Sequence, residues 1–214
     1  MAQDKVESAL SADVVSQYIW RGQHLGEVSI QPTLGIAWKG LSLSAFGSVG
    51  LSKPSDTKEF DLTLAYSVGG FNVGITDYWF DTNKYFRYKA HDTSHVFEGN
   101  VGYDFGFLNI QWFTNFAGDD GLNKKGKRAY SSYFELSAPF KLGGIDWKAT
   151  VGAVPYATSF YADATGFAVT NIQLAASYKV VDKPHFELPV FASITANPST
   201  EKAYFTVGFS LKKK

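Results

Sequence analysis

Ser29-Ile30-Gln31-Pro32-Thr33-Leu34-Gly35-Ile36-Ala37-Trp38-Lys39-Gly40-Leu41-Ser42-Leu43-Ser44-Ala45-Phe46-Gly47-Ser48-Val49 is the stretch that decides the fold. Ile30, Leu34, Ile36 and Trp38 alternate with Gln31, Thr33, Gly35 and Ala37, and after Lys39-Gly40 the alternation resumes with Leu41, Leu43 and Val49 against Ser42, Ser44 and Ser48. A period of two marks strands with two different faces, and a two-residue glycine turn marks a hairpin.

Outward from this hairpin the pattern repeats. Strand-like runs begin at Leu10, Ile30, Leu41, Phe60, Phe71, Phe97, Leu108, Tyr130, Ile145, Ile172, Phe186 and Phe205. Twelve runs are even in number, as single-chain bacterial barrels require. The connections sort by length. Lys39-Gly40, Gly69-Gly70, Asp104-Phe105-Gly106, Lys141-Leu142-Gly143-Gly144 and Val181-Asp182-Lys183-Pro184 are tight. Residues 22–28, 53–58, 81–94, 117–128, 155–167 and 195–200 form the longer ones. Short and long connections alternate along the chain, as periplasmic turns and extracellular loops do in outer-membrane barrels.

Composition agrees. Aromatics make up 16% of 214 residues, yet mean hydropathy is slightly negative. Apolar residues that alternate with polar ones produce that combination, and no window of eighteen apolar residues offers a membrane helix. Lys+Arg and Asp+Glu are 20 each, so the basic excess of a nucleic-acid binder is missing. With no cysteine there is no disulfide framework. The expected architecture is therefore all-β: a transmembrane, antiparallel up-and-down barrel of about twelve strands, one domain over residues 1–214. Residues 1–5 would form a periplasmic tail and 212–214 a C-terminal tail. Met1-Ala2-Gln3-Asp4-Lys5 carries no apolar targeting segment, so the reading takes the chain as a mature form behind a start methionine.

Val14-Val15-Ser16-Gln17-Tyr18-Ile19-Trp20-Arg21-Gly22 resembles the opening signature of the TorF-type porin family of Gram-negative outer membranes. The resemblance covers about the first quarter of the chain and is architectural beyond it. It implies an outer-membrane barrel of similar length. Phe205-Thr206-Val207-Gly208-Phe209-Ser210-Leu211 resembles the aromatic-rich last strand that barrel-assembly machinery reads; it is followed by Lys212-Lys213-Lys214, where many such chains stop at an aromatic.

Three groups of side chains are candidates for function. The lumen would be lined by Asp13, Gln17, Arg21, Gln31, Asp61, Glu98, Asn100, Asn109, Gln111, Glu135, Asp146, Lys148, Asn171, Gln173, Lys179 and Glu187. Its acidic members favour cations if they stand as rings; if they pair with Arg21, Lys148 and Lys179 they brace the wall. Arg21 would face Glu98 or Asp61 near the mouth. Aromatics at the two membrane interfaces would be Tyr18, Trp20, Trp79 and Tyr130 toward the long loops, and Trp38, Tyr66, Tyr103, Trp147 and Tyr178 toward the short turns. Lys124, Lys125, Lys127 and Arg128 form a basic run that could meet lipopolysaccharide phosphates.

These readings favour a porin-like channel for small solutes or ions with mild cation preference. The partners would be outer-membrane lipid and, during biogenesis, the assembly machinery; no cofactor, metal or nucleic acid is called for. Two alternatives stand beside it. A lipid-modifying enzyme is suggested by His91-Asp92-Thr93-Ser94-His95, although nucleophile, base and orienting group cannot be placed together from sequence. A closed structural or partner-binding barrel is suggested by the aromatic loops, with Tyr85, Phe86, Tyr88, Tyr156, Phe160, Tyr161 and Phe167.

Overall fold

The structure, a computed structural model, describes residues 5–53, 55–80, 84–89 and 92–214. Twelve of its strands close one antiparallel barrel: β1 (Glu7–Val15), β4 (Ser29–Trp38), β5 (Leu41–Gly50), β6 (Glu59–Val68), β7 (Phe71–Phe80), β8 (His95–Asp104), β9 (Asn109–Gly118), β10 (Ser132–Leu142), β11 (Ile145–Val154), β12 (Ala168–Lys183), β13 (Phe186–Asn197) and β14 (Lys202–Lys213). Each pairs with its neighbour in the chain, and β14 returns to β1, where Leu10 faces Lys213. Closure leaves no unpaired edge, which a wall surrounded by lipid requires. Among the described residues no helix is long and apolar enough to cross a membrane.

The alternation read from the sequence becomes the two faces of this wall. Leu34, Ile36, Leu64 and Ile194 point outward and are more than half exposed. Gln31, Asp61, Thr76, Asn171, Thr195, Thr206 and Ser210 point inward and are buried. The tight turns at Lys39-Gly40 and Gly69-Gly70 have positive φ at both central residues, the geometry whose twist matches a hairpin.

The first strand departs from the sequence reading. Its run is expected to continue from Leu10 to Trp20, but β1 ends at Val15. Ser16 makes the last rung, donating its backbone N–H to Val207 and accepting the Val207 N–H on its hydroxyl. The chain then leaves the wall and forms a separate hairpin of β2 (Tyr18–Trp20) and β3 (Gln23–Gly26). Its tip, Arg21-Gly22, has φ of +50° and +81°, so it is a two-residue turn of the same kind as those joining the strands. Lys212 and Lys213 are part of β14 rather than a free tail, and the backbone N–H of Lys214 donates to His185. The connection expected over 195–200 shortens to 198–201, because β13 runs on to Asn197.

Candidate functional site

The hairpin β2–β3 is folded into the long-loop end of the barrel, and its side chains are tied to the wall on several sides. The Tyr18 hydroxyl donates to Glu59 of β6 at 2.8 Å. Gly22 lies against the Thr170 carbonyl so closely that a Cβ would come within 1.8 Å of it, and its own carbonyl accepts from Asn197 at 3.0 Å. His24 stacks on Tyr204 of β14 at 5.8 Å. At the hairpin's exit, the Glu27 backbone N–H donates to Asp56 at 3.1 Å. Lys53 Nζ is 2.8 Å from Glu27, and this hydrogen bond holds the Glu27 carboxyl below its usual range.

Arg21 occupies the centre of this arrangement. Its guanidinium makes two bonds to the Glu98 carboxylate, at 2.5 and 3.2 Å. Four aromatic rings surround it: Trp20, Phe113, Tyr133 and Tyr161, with ring centroids 3.9 to 5.0 Å from the guanidinium carbon. Glu98 also accepts from Tyr78 at 3.0 Å and from Tyr161 at 2.5 Å. A planar, delocalised cation is the residue suited to such stacking and to a forked bond with a carboxylate.

The connection 155–167 supplies the lid over this cluster. Tyr161 is fully buried, and its hydroxyl bridges Glu98 and Asn115. Phe160 meets Trp20 edge-on at 6.0 Å and packs beside Tyr78 and Phe80. The loop is anchored by Thr158, whose hydroxyl donates to Ser131, while Asp120 accepts the Ser131 backbone N–H. Tyr133, Val154 and Tyr161 are fully buried, and the Arg21 side chain keeps 9% of its surface exposed.

Toward the short-turn end the lumen opens. One cavity of about 430 Å³ is bordered by Asp13, Gln17, Gln31, Asp146, Lys148 and Gln173. Another of about 410 Å³ is bordered by Asn72, Asn100, Asp104 and Asn109.

The structure places the sixteen lumen candidates on the inner side, but most of their charges are paired. Glu98 pairs with Arg21, Asp146 with Lys141 at 3.1 Å, and Glu187 with Lys179 at 2.7 Å. Asp13 accepts from Ser210, and Glu135 from Tyr133 at 3.2 Å. Asn171 donates to Tyr133 at 3.3 Å, Gln173 to Thr195 at 3.0 Å and Gln31 to Ser48 at 3.3 Å. Gln111 fills the space beside Gly102. Asp61 is buried beside the hairpin, with one carboxylate oxygen unpartnered.

Tyr18 and Trp20 are not interface aromatics. The chain leaves the wall after Ser16, so both rings turn into the barrel. Trp38, Tyr66, Tyr103 and Tyr178 are exposed on the outer face, Trp147 stacks there with Phe140, and Tyr130 is exposed at the rim. Trp79 also lies on the outer side, covered by Tyr85 at 5.4 Å. Lys124, Lys125 and Lys127 are exposed, and Arg128 donates to the Gly118 carbonyl at 2.8 Å.

His91 lies outside the described residues. His95 opens β8 instead of lying in a loop, and it is fully buried. Its Nδ1 is 2.7 Å from Asp77 and its Nε2 is 2.5 Å from the Tyr85 carbonyl. Both nitrogens are thus engaged by groups other than a serine, and a general base needs one facing its nucleophile.

Sequence reasoning does not single out Tyr78, Phe113, Tyr133, Asn115 and Glu59 as members of the cluster. For Tyr78, Phe113 and Tyr133 the signal is an aromatic on the polar register of a strand, as at Tyr133 beside Glu135; Asn115 and Glu59 carry no such mark. Such a ring faces inward and needs partners inside the barrel.

The fold is similar to that of the NanC porin: 10% identity, 96% of this chain and 99% of that chain covered, TM-score 0.54. OmpF of Salmonella typhi, in a complex with daunomycin, aligns at 9% identity over 97% of each chain, TM-score 0.40. CdiB from Acinetobacter baumannii aligns at 11% identity over 100% of this chain and 60% of its own, TM-score 0.44. No family model matches the sequence, and no curated protein matches it either. The likeness to the NanC porin extends to the barrel fold.

Proposed function

We propose that this chain is a small channel of the bacterial outer membrane, passing small solutes or ions by diffusion, with the hairpin β2–β3 and the loop 155–167 narrowing its outer mouth. The observation that carries this reading is the polar inner face running through all twelve wall strands and opening into water-accessible cavities at one end. Barrels of about eight strands are filled by their own side chains, and sixteen to eighteen leave an aqueous channel. Twelve strands need additional chain to fill the mouth, and here the hairpin and loop supply it. The apolar outer face supports a lipid surround, and the outer membrane follows from the same reading. Kinship with the TorF-type porins is supported by the stretch Val14–Gly22 alone. Mild cation preference is supported by Asp13, which borders the cavity of about 430 Å³ together with Lys148 and with Asp146, itself paired with Lys141. No catalytic role is assigned.

The test is planar-bilayer recording on refolded protein. Small, discrete, weakly cation-preferring conductance steps are expected. A reversal potential favouring anions would remove the cation preference and leave the channel.

A second reading, a closed barrel acting through its loops, is favoured by the buried rings packed around Arg21, those of Tyr133 and Tyr161. It predicts electrical silence both in the wild type and after the hairpin is removed.

A further inference from the structure

The segment 84–89 does not stand away from the barrel. It lies back against the outer side of β7 and β8. Tyr88 stacks on His95 with centroids 4.1 Å apart, and Tyr85 packs against both Trp79 and His95. The bond from His95 to the Tyr85 carbonyl pins the segment there. Held this way, Phe86 is 89% exposed, with Lys84, Arg87 and Lys89 beside it in the chain.

The facing loop, 119–131, is also firmly built. Asn123 Oδ1 accepts the backbone N–H groups of Lys125 and Lys127, and Leu122 bridges to Arg128. Between the two loops lies a crevice of about 810 Å³ whose lining includes Lys84, Arg87, Lys127 and Arg128 together with Asp92 and Asp119. Asp92 pairs with Arg87, and the third lining carboxylate, Asp120, is buried on Ser131 and Asn115. Among the described residues that line the crevice, Lys84, Lys127 and Arg128 are left with one carboxylate outside these pairings, Asp119.

We propose that this crevice binds a phosphate group of an outer-leaflet glycolipid, with Phe86 reaching into the lipid beside it. The inference rests on the outer-membrane reading above. Arg and Lys are the side chains that hold phosphate oxygens, and an exposed aromatic flanked by cations suits the headgroup level. The site differs from the basic run alone: Lys84 and Arg87 belong to it, whereas Lys124 and Lys125 do not line the crevice.

The test is calorimetric titration of the refolded full chain with lipopolysaccharide, with the same lipid dephosphorylated, and with inorganic phosphate. The double variant Lys84→Gln/Lys127→Gln should weaken lipopolysaccharide binding about tenfold or more. Lys124→Gln/Lys125→Gln removes the same charge outside the crevice and should cost less than about threefold. Dephosphorylation should weaken wild-type binding as the crevice variant does, and Phe86→Ser should weaken lipid binding while leaving inorganic phosphate unchanged. Equal losses from the two lysine pairs, indifference to dephosphorylation, or free phosphate binding as tightly as the lipid would each overturn the site. The variants alter exposed side chains, and heat-modifiable gel mobility checks that each has folded. A chain that inserts into bilayers without binding the lipid refutes this site alone; one that fails to insert refutes the membrane reading itself.

Discussion

The two ends of the barrel are made from the same strands and solve opposite problems. At the long-loop end, Arg21, Glu98, Tyr78, Tyr133 and Tyr161 form a largely buried, hydrogen-bonded cluster. At the short-turn end, Asp146, Lys148 and Asn109 border open cavities, and ion pairs such as Lys141–Asp146 lie in water. A charge in the first region is costly unless every partner is present. In the second it is screened and worth little. The same residue types therefore carry different weight at the two ends, and substitutions should show it.

The largest effect is expected from Glu98→Ala. It leaves the Arg21 guanidinium buried without its carboxylate, a loss of about 3–5 kcal/mol by the usual cost of breaking a buried pair. Denaturant unfolding in detergent should show it, and conductance should rise as the mouth loosens. Gly22→Ala comes next and acts on the backbone. Its φ is +81° and its Cβ would meet the Thr170 carbonyl. The hairpin must shift, so conductance should rise while the gel mobility of the barrel is kept. Tyr161→Phe removes one donor to Glu98 and should cost about 1–3 kcal/mol, the penalty of a buried group left short of a partner. At the open end, Lys148→Gln should stay within about 0.5 kcal/mol, as surface changes do, and should shift the reversal potential slightly toward cations. The smallest effect concerns the tether at the hairpin's exit. The Glu27 carboxyl is held below its usual range, so its contribution is present at neutral pH and is lost as pH falls through its folded value. Lys53→Gln should abolish that part of the pH dependence in an acid titration of hairpin opening.

The wall of the barrel was legible because period-two alternation and turn chemistry are local signals. Lys39-Gly40 and Gly69-Gly70 specify hairpins by themselves. The hairpin β2–β3 was not legible, because Tyr18 and Trp20 continue the apolar parity of Leu10 and Val14 and differ from a wall strand only after Ser16. What turns them inward is tertiary: Glu59, Glu98 and Asn197 wait inside the barrel, and none is near in sequence. The pairing of Arg21 with Glu98 could be anticipated from opposite charges on the inner face, but the four rings around the guanidinium come from the hairpin itself, from two wall strands and from a loop. Strand ends were the least visible, as the extension of β14 to Lys213 shows.

The central claim is that the hairpin sets the width of a conducting barrel. Val15 pairs with Ser29 across the base of the hairpin, so residues 16–28 can be replaced by an Asn-Gly turn that joins β1 to β4 directly. Single-channel conductance of this variant, recorded beside the wild type, tests the claim most directly. The account predicts small steps in the wild type and clearly larger, steadier ones in the variant. Identical conductance in the two, or silence in both from properly folded protein, would contradict it.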